Sequence, residues 1–175
     1  NNVIKYIKSE EVNPNDFSLK PIFQDYTHQE YIKWFKKNRI KRNLLPIYAL
    51  PTTSGTGSEV TQFSTIWDKK KKQKLSISHK NLFPKLAIID PELTYSVPFS
   101  TTLSTGLDAL NQSFESIWNK NKTPISSYLA SKAIGNVMES LPRLINNIDD
   151  FEARYLMAEA SLLSGLCISQ TFTAI

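Results

Sequence analysis

Cysteine occurs once, at Cys167, so the chain has no internal disulfide framework and no multi-cysteine metal site. A single thiol in such a sequence reads as a small buried hydrophobe. No stretch approaches the roughly 18 consecutive apolar residues that a membrane-spanning helix needs. The first residues, Asn1-Asn2-Val3-Ile4-Lys5, lack the features of a secretory signal. These two absences make a cytoplasmic protein with no membrane partner the expectation. Histidine is scarce as well, with only His28 and His79. His28 lies in a polar loop and reads as surface, and His79 follows a strand-like segment and reads as structural. Internal repeats and low-complexity segments are also missing.

The 175 residues, 41% hydrophobic and 21% charged, suffice for a real core in one large domain or two small pieces. The net charge of +5 gathers in two runs, Lys33 to Arg42 and Lys69 to Lys74. Neither run has interleaved aromatics, and no zinc spacing or helix-turn-helix signature accompanies them. Solvated surface is therefore expected, with no nucleic-acid partner. Lys69 to Lys72 suits a hairpin tip.

The organisation changes near residue 100. Before it, helical pieces at Val3 to Ser9 and Tyr31 to Asn38 precede four short strand candidates. These are Leu44 to Leu50, Gln62 to Trp67, Lys74 to Ser78 and Lys85 to Ile89. After it come three helical patterns. In the first, Leu103, Leu107, Leu110, Phe114, Ile117 and Trp118 recur on one face. The second starts at Thr123-Pro124, an N-cap with proline at the first helical position, and continues through Ile125, Leu129, Ala133, Val137 and Leu141. For the third, Asp149 with Glu152 reads as a capping box, and a stripe of small residues including Ala160, Ser161, Ser164 and Gly165 suggests close packing against a neighbouring helix.

Two places carry candidate chemistry. The run Pro51-Thr-Thr-Ser-Gly-Thr-Gly-Ser-Glu-Val-Thr61 crowds hydroxyls and glycines behind an apolar strand candidate. Such a loop offers N–H groups and hydroxyls to an anionic or polar ligand, or it is a solvated strand-to-helix turn whose hydroxyls cap the helix. On the helix that follows, Asp108, Gln112 and Glu115 stand at i, i+4 and i+7, on one stripe. A carboxylate and an amide one turn apart can offer oxygens to a divalent cation, or they can form a solvated polar face.

The strings PTTSGTGSEVT, AIIDPELT (Ala87 to Thr94) and STGLDALNQSFES (Ser104 to Ser116) together resemble the iron-containing, or group III, alcohol dehydrogenase family, and residues 150–165 resemble its helical domain. The resemblance implies a dehydroquinate synthase-like fold. Residues 1–99 would form part of an α/β dinucleotide-binding domain, and residues 100–175 part of an all-α domain for metal and substrate. It implies hydride transfer between NAD or NADP and a small alcohol or aldehyde, with a divalent metal, iron or zinc, polarising the carbonyl. By similarity Thr52, Thr53, Thr61, Phe63 and Lys74 would bind the cofactor, with Gly55 and Gly57 letting the backbone come close to it, and Asp108 would be the first metal ligand. Most relatives carry histidine at the next ligand position. This chain has Gln112, whose amide oxygen is a weaker donor to a transition metal than imidazole. Neither histidine of this chain falls at a family ligand position, and no catalytic residue is assigned. The segment Leu107 to Ser126 is similar to relatives that reduce phosphonoacetaldehyde. The family's glycine-rich loop would precede Val3 and its two further metal-binding histidines would follow Ile175. An internal fragment, inactive by itself, is therefore expected, as is a homodimer. A non-catalytic binding protein of the same fold is the alternative, with Gln112 marking decay of the metal site.

Overall fold

The computed structural model describes residues 45–68 and 71–172. The expected helices at Val3 to Ser9 and Tyr31 to Asn38, His28, and most of the lysine runs lie outside them.

The α/β part is small. The strand β1 (Tyr48–Ala49) pairs in parallel with β4 (Leu86–Ala87), and a hairpin of β2 (Phe63–Asp68) and β3 (Gln73–Ser78) lies between them in sequence. The apolar stretch up to Leu50 and the stretch from Lys85 are longer than the strands they form, because only residues 48–49 and 86–87 pair. Bonds from Lys85 N–H to the Ile47 carbonyl (2.7 Å) and from Ile88 N–H to the Ala49 carbonyl (2.9 Å) flank that pairing. The hairpin register sets Thr65 opposite Ser76, whose hydroxyls lie 2.9 Å apart. Lys71 and Lys72 occupy its turn, as the hairpin reading of the lysine run expects, with Lys72 at φ 51°.

Three helices follow: α1 (Phe99–Trp118), α2 (Pro124–Asn146) and α3 (Phe151–Thr171). None of the helices among the described residues is long and apolar enough to cross a membrane. The start of α2 is the one the sequence indicates. The Thr123 hydroxyl accepts from Ser126 N–H (3.0 Å) and the Ser126 hydroxyl accepts from Thr123 N–H (2.9 Å), with Pro124 at the first position. The start of α3 differs from the expected Asp149–Glu152 box. Asp150 is the cap, accepting from Ala153 N–H at 3.0 Å, and Arg143 of α2 clamps the same carboxylate with Nε and Nη2 at 3.0 and 2.9 Å. These bonds, that from Ala153 N–H foremost, hold the Asp150 carboxyl below the usual range. Of two adjacent aspartates, the one facing the arginine of the preceding helix takes the cap.

The packing face of α1 also corrects the sequence reading. Its buried residues are Thr102, Gly106, Ala109, Ser113 and Ser116, whereas Leu107 and Trp118 of the apolar stripe are 48% and 62% exposed. Leu103 and Leu110 alone of that stripe pack against the core of Ala109, Val137, Leu141, Leu144, Ala153, Met157 and Ala160. Small residues win because the helices approach closely: a Cβ on Gly106 would stand 2.9 Å from Leu141 Cδ1. Hydroxyls on this face turn back on their own helices, Ser113 to the Ala109 carbonyl (2.8 Å) and Ser140 to the Asn136 carbonyl (2.6 Å), so burial leaves them bonded. The buried Arg154 ties α3 to α1, donating to the Thr102 hydroxyl of α1 (3.1 Å) and to the Ile148 carbonyl in the loop that precedes α3 (3.0 Å).

Candidate active site

The loop 51–61 does not run into a long helix. It passes through a single 3-10 turn, Ser58–Val60, and enters β2, so its hydroxyls have no α-helix to cap. It is anchored from behind. Gly55 N–H donates to the Ser161 hydroxyl of α3 at 2.7 Å, a buried bond. A Cβ on Gly55 would stand 2.6 Å from Thr105 Cβ on α1, and one on Gly57 would stand 2.7 Å from the Ser161 carbonyl oxygen and 2.8 Å from Gly165 N. Gly57 also has φ 57°, a conformation that glycine adopts without steric penalty. In this structure the glycines therefore bring the loop against the helices, and the small-residue stripe of α3 receives a loop as well as a helix.

With its back fixed, the loop turns Thr52, Thr53, Thr56 and Ser58 to a cavity of about 160 Å³ whose other walls include Ile47, Leu50 and Phe63. Three of the five residues expected at the cofactor, Thr52, Thr53 and Phe63, thus share one cavity. Thr61 does not line it. That residue is buried beneath the turn, its hydroxyl donating to the Ser58 carbonyl at 3.3 Å. Lys74 does not line the cavity either: it is an exposed residue of β3, and its charge acts on Asp108. The Phe63 ring meets Phe172 edge-on, with centroids 5.9 Å apart.

Glu59 is a cavity-wall residue to which the sequence reading assigned no role. It is 5% exposed, and burial pushes its carboxyl above the usual range, opposed by a hydrogen bond from its own backbone N–H. Its only sequence signal is its place in the motif. Ser161, which fixes the loop, was legible as a small residue but not as an acceptor.

On α1, Gln112 Nε2 donates to Asp108 Oδ2 at 3.1 Å. Glu115 leaves the group and accepts from Asn111 Nδ2 at 2.8 Å. Burial raises the Asp108 carboxyl above its ordinary range, and Glu115 adds to this, while the bond from Gln112 and the charge of Lys74 oppose it. His79 is structural, its Nδ1 accepting from Asn81 N–H at 3.2 Å. Among the described residues no three His, Cys, Asp or Glu side chains group to hold a metal. Asp108 and Gln112 nevertheless fit part of a divalent-cation shell. They supply a carboxylate and an amide oxygen one turn apart, and Gln112 Oε1 is buried without any hydrogen-bond partner.

The hydroxyl-lined cavity is thus walled by the loop ahead of β2, and the Asp108–Gln112 pair stands on the first helix after the α/β part. The family described as iron-containing alcohol dehydrogenase matches residues 19–91, and its C-terminal region, described as Fe-containing alcohol dehydrogenase family, C-terminal, matches residues 102–175. The chain belongs to the iron-containing alcohol dehydrogenase family. It is 36% identical over 132 residues to the NAD-dependent methanol dehydrogenase of Bacillus methanolicus and 38% identical over 153 residues to the choline dehydrogenase of Bacillus subtilis, covering 75% and 85% of this chain. The structure of sulfoacetaldehyde reductase from Bifidobacterium kashiwanohense in complex with NAD+ superimposes with a TM-score of 0.71 at 45% identity over 75% of this chain. The chain spans about a third of the length of these relatives, 35%, 38% and 35% respectively.

Proposed function

We propose that the intact protein containing this chain is an NAD(H)-dependent alcohol dehydrogenase or aldehyde reductase acting on a small substrate. The observation that carries this reading is the contact between loop and helix. Gly55 lies against Thr105, one turn before Asp108, so the hydroxyl-lined cavity and the oxygen pair are tied to one rigid element. A nicotinamide cofactor in the cavity would have its phosphates within reach of the Thr52 and Thr53 hydroxyls, with Phe63 as an apolar wall. Charge-assisted bonds of this kind are among the stronger polar contacts a protein makes.

When bound, a reduced nicotinamide would supply a hydride to the carbonyl carbon of the substrate, whose oxygen would take a proton. A divalent cation, held by oxygens of Asp108 and Gln112 together with ligands outside this chain, would act as a Lewis acid on that oxygen. The residues of this chain do the positioning. Asp108 supplies the negative charge that draws the cation, the glycine-anchored loop fixes the cofactor wall, and the apolar lining keeps water from the transferred hydride.

For the substrate, the 45% identity with a sulfoacetaldehyde reductase, together with the resemblance of the segment Leu107 to Ser126 to relatives that reduce phosphonoacetaldehyde, favours an aldehyde bearing an anionic group. The test is oxidation of NADH, and separately NADPH, by the intact protein with acetaldehyde, sulfoacetaldehyde and phosphonoacetaldehyde. Turnover of NADH is expected, with kcat/KM at least tenfold higher for one of the two anionic aldehydes. Equal rates across the panel would remove the anionic preference. NADH binding without turnover on any aldehyde or alcohol would favour the non-catalytic binding protein instead.

A further inference from the structure

Gln112 Oε1 is the one buried side-chain nitrogen or oxygen among the described residues that has no hydrogen-bond partner. Buried acceptors are bonded in the great majority of cases, so the exception asks for a reason. The other end of the same amide supplies it, because Nε2 donates to Asp108 Oδ2 at 3.1 Å. As the amide stands, its nitrogen covers the carboxylate and its oxygen is stranded. Turning the amide over about its last torsion would set Oε1 against Oδ2, two acceptors with nothing between them. That arrangement becomes favourable only when a cation sits between the oxygens and bonds to both. Each orientation therefore belongs to one condition of the site, the nitrogen-in form without a cation and the oxygen-in form with one.

We infer that Gln112 is a reversible cover on Asp108, which turns its amide to admit a divalent cation and thereby gives the site a preference for oxygen-seeking cations such as Mn2+ over Zn2+, relative to an imidazole at the same position. Carboxylate and amide oxygens suit hard cations, and imidazole suits zinc and the later transition metals. The cover also weakens binding, since the bond between Gln112 and Asp108 must break before the cation can enter. Lys74, whose charge acts on Asp108, opposes the cation further. The inference rests on the proposed role of Asp108 as a cation ligand.

The test uses the intact protein stripped with a chelator. Mn2+ binding is followed by the loss of the free-ion electron paramagnetic resonance signal and Zn2+ binding by competition, for the wild type and for Gln112→His, Gln112→Glu and Gln112→Leu. Replacing an oxygen ligand by imidazole should raise zinc affinity by about tenfold or more and change Mn2+ affinity by less than about threefold. Gln112→Glu, which keeps an oxygen and removes the covering N–H, should tighten Mn2+ by about tenfold. Gln112→Leu should lose most of the Mn2+ binding. Melting curves identify any variant that fails to fold, and the histidine-to-glutamate comparison then stands without the leucine variant. An unchanged ratio of zinc to manganese affinity in Gln112→His, or Mn2+ bound equally well by Gln112→Leu, would overturn the inference, as would a wild type that binds neither ion. NADH binding measured on the same samples separates the two readings. Cation results that fail with NADH binding intact remove only this inference, and cation results that hold without NADH binding remove the nicotinamide assignment.

Discussion

Asp108→Ala in the intact protein is expected to lower kcat/KM for aldehyde reduction by about a thousandfold and to abolish cation binding. The activity loss follows from the several kcal/mol that a Lewis acid contributes to the developing charge, at about 1.4 kcal/mol per tenfold in rate. The variant's stability should depend on pH. Burial raises the Asp108 carboxyl above its ordinary value, so removing the group relieves the burial of an ionised form, while the Gln112 N–H that donates to Oδ2 loses its acceptor. Relative to wild type, the melting temperature of the variant should therefore fall as pH drops through the raised value, because protonated Asp108 no longer resists burial. Steady-state kinetics and melting curves across pH check both parts. A variant with activity within a few-fold of wild type would remove Asp108 from the site, and one that unfolds would show its role to be structural.

Gly57→Ala should have the largest effect on stability. Alanine at φ 57° costs about 1 kcal/mol in backbone strain, and its Cβ would press on the Ser161 carbonyl oxygen and Gly165 N, backbone atoms that cannot rotate aside. The combined loss is about 3 kcal/mol, which lowers the melting temperature by roughly 6 to 12 °C for a domain of this size. The same substitution at Gly135, on the exposed side of α2 with no atom within 4 Å of the added Cβ, should instead stabilise by about 0.5 to 1 kcal/mol. Equal effects at the two positions would mean that the loop is not held against α3 as described. Because the Gly57 contact fixes the wall that carries Thr52 and Thr53, the variant should also lose cofactor affinity under conditions where it remains folded.

What could be read in the sequence follows the range of the interactions. The hairpin and the Thr123 cap are local, set by residues a few positions apart, and both appear where the pattern puts them. The buried face of α1 depends on how near α2 and α3 come. Spacing of leucines gives no measure of that distance, and the small residues Ala109, Ser113 and Ser116 took the core while Leu107 and Trp118 stayed outside. Asp150 displaced Asp149 for a similar reason, since its partner Arg143 comes from the previous helix. At the site, the motif identified the loop, and the fold explained its two glycines as contacts to Thr105, Ser161 and Gly165. The amide of Gln112 shows the same division. Its place one turn after Asp108 was visible in the spacing, whereas its stranded oxygen required the burial around it.

We propose that Thr52 and Thr53 line a nicotinamide cofactor site. This is tested most directly by titrating the intact protein with NADH and following the quenching of protein fluorescence, for the wild type and for the double variant Thr52→Val, Thr53→Val. Each lost hydroxyl removes a hydrogen bond to a charged group, about 1.5 to 3 kcal/mol, so the double variant should bind NADH at least about tenfold more weakly at a temperature where its melting curve shows it folded. Saturable wild-type binding with that loss is the predicted result. Equal NADH affinity in wild type and double variant, or no binding to either, would contradict it.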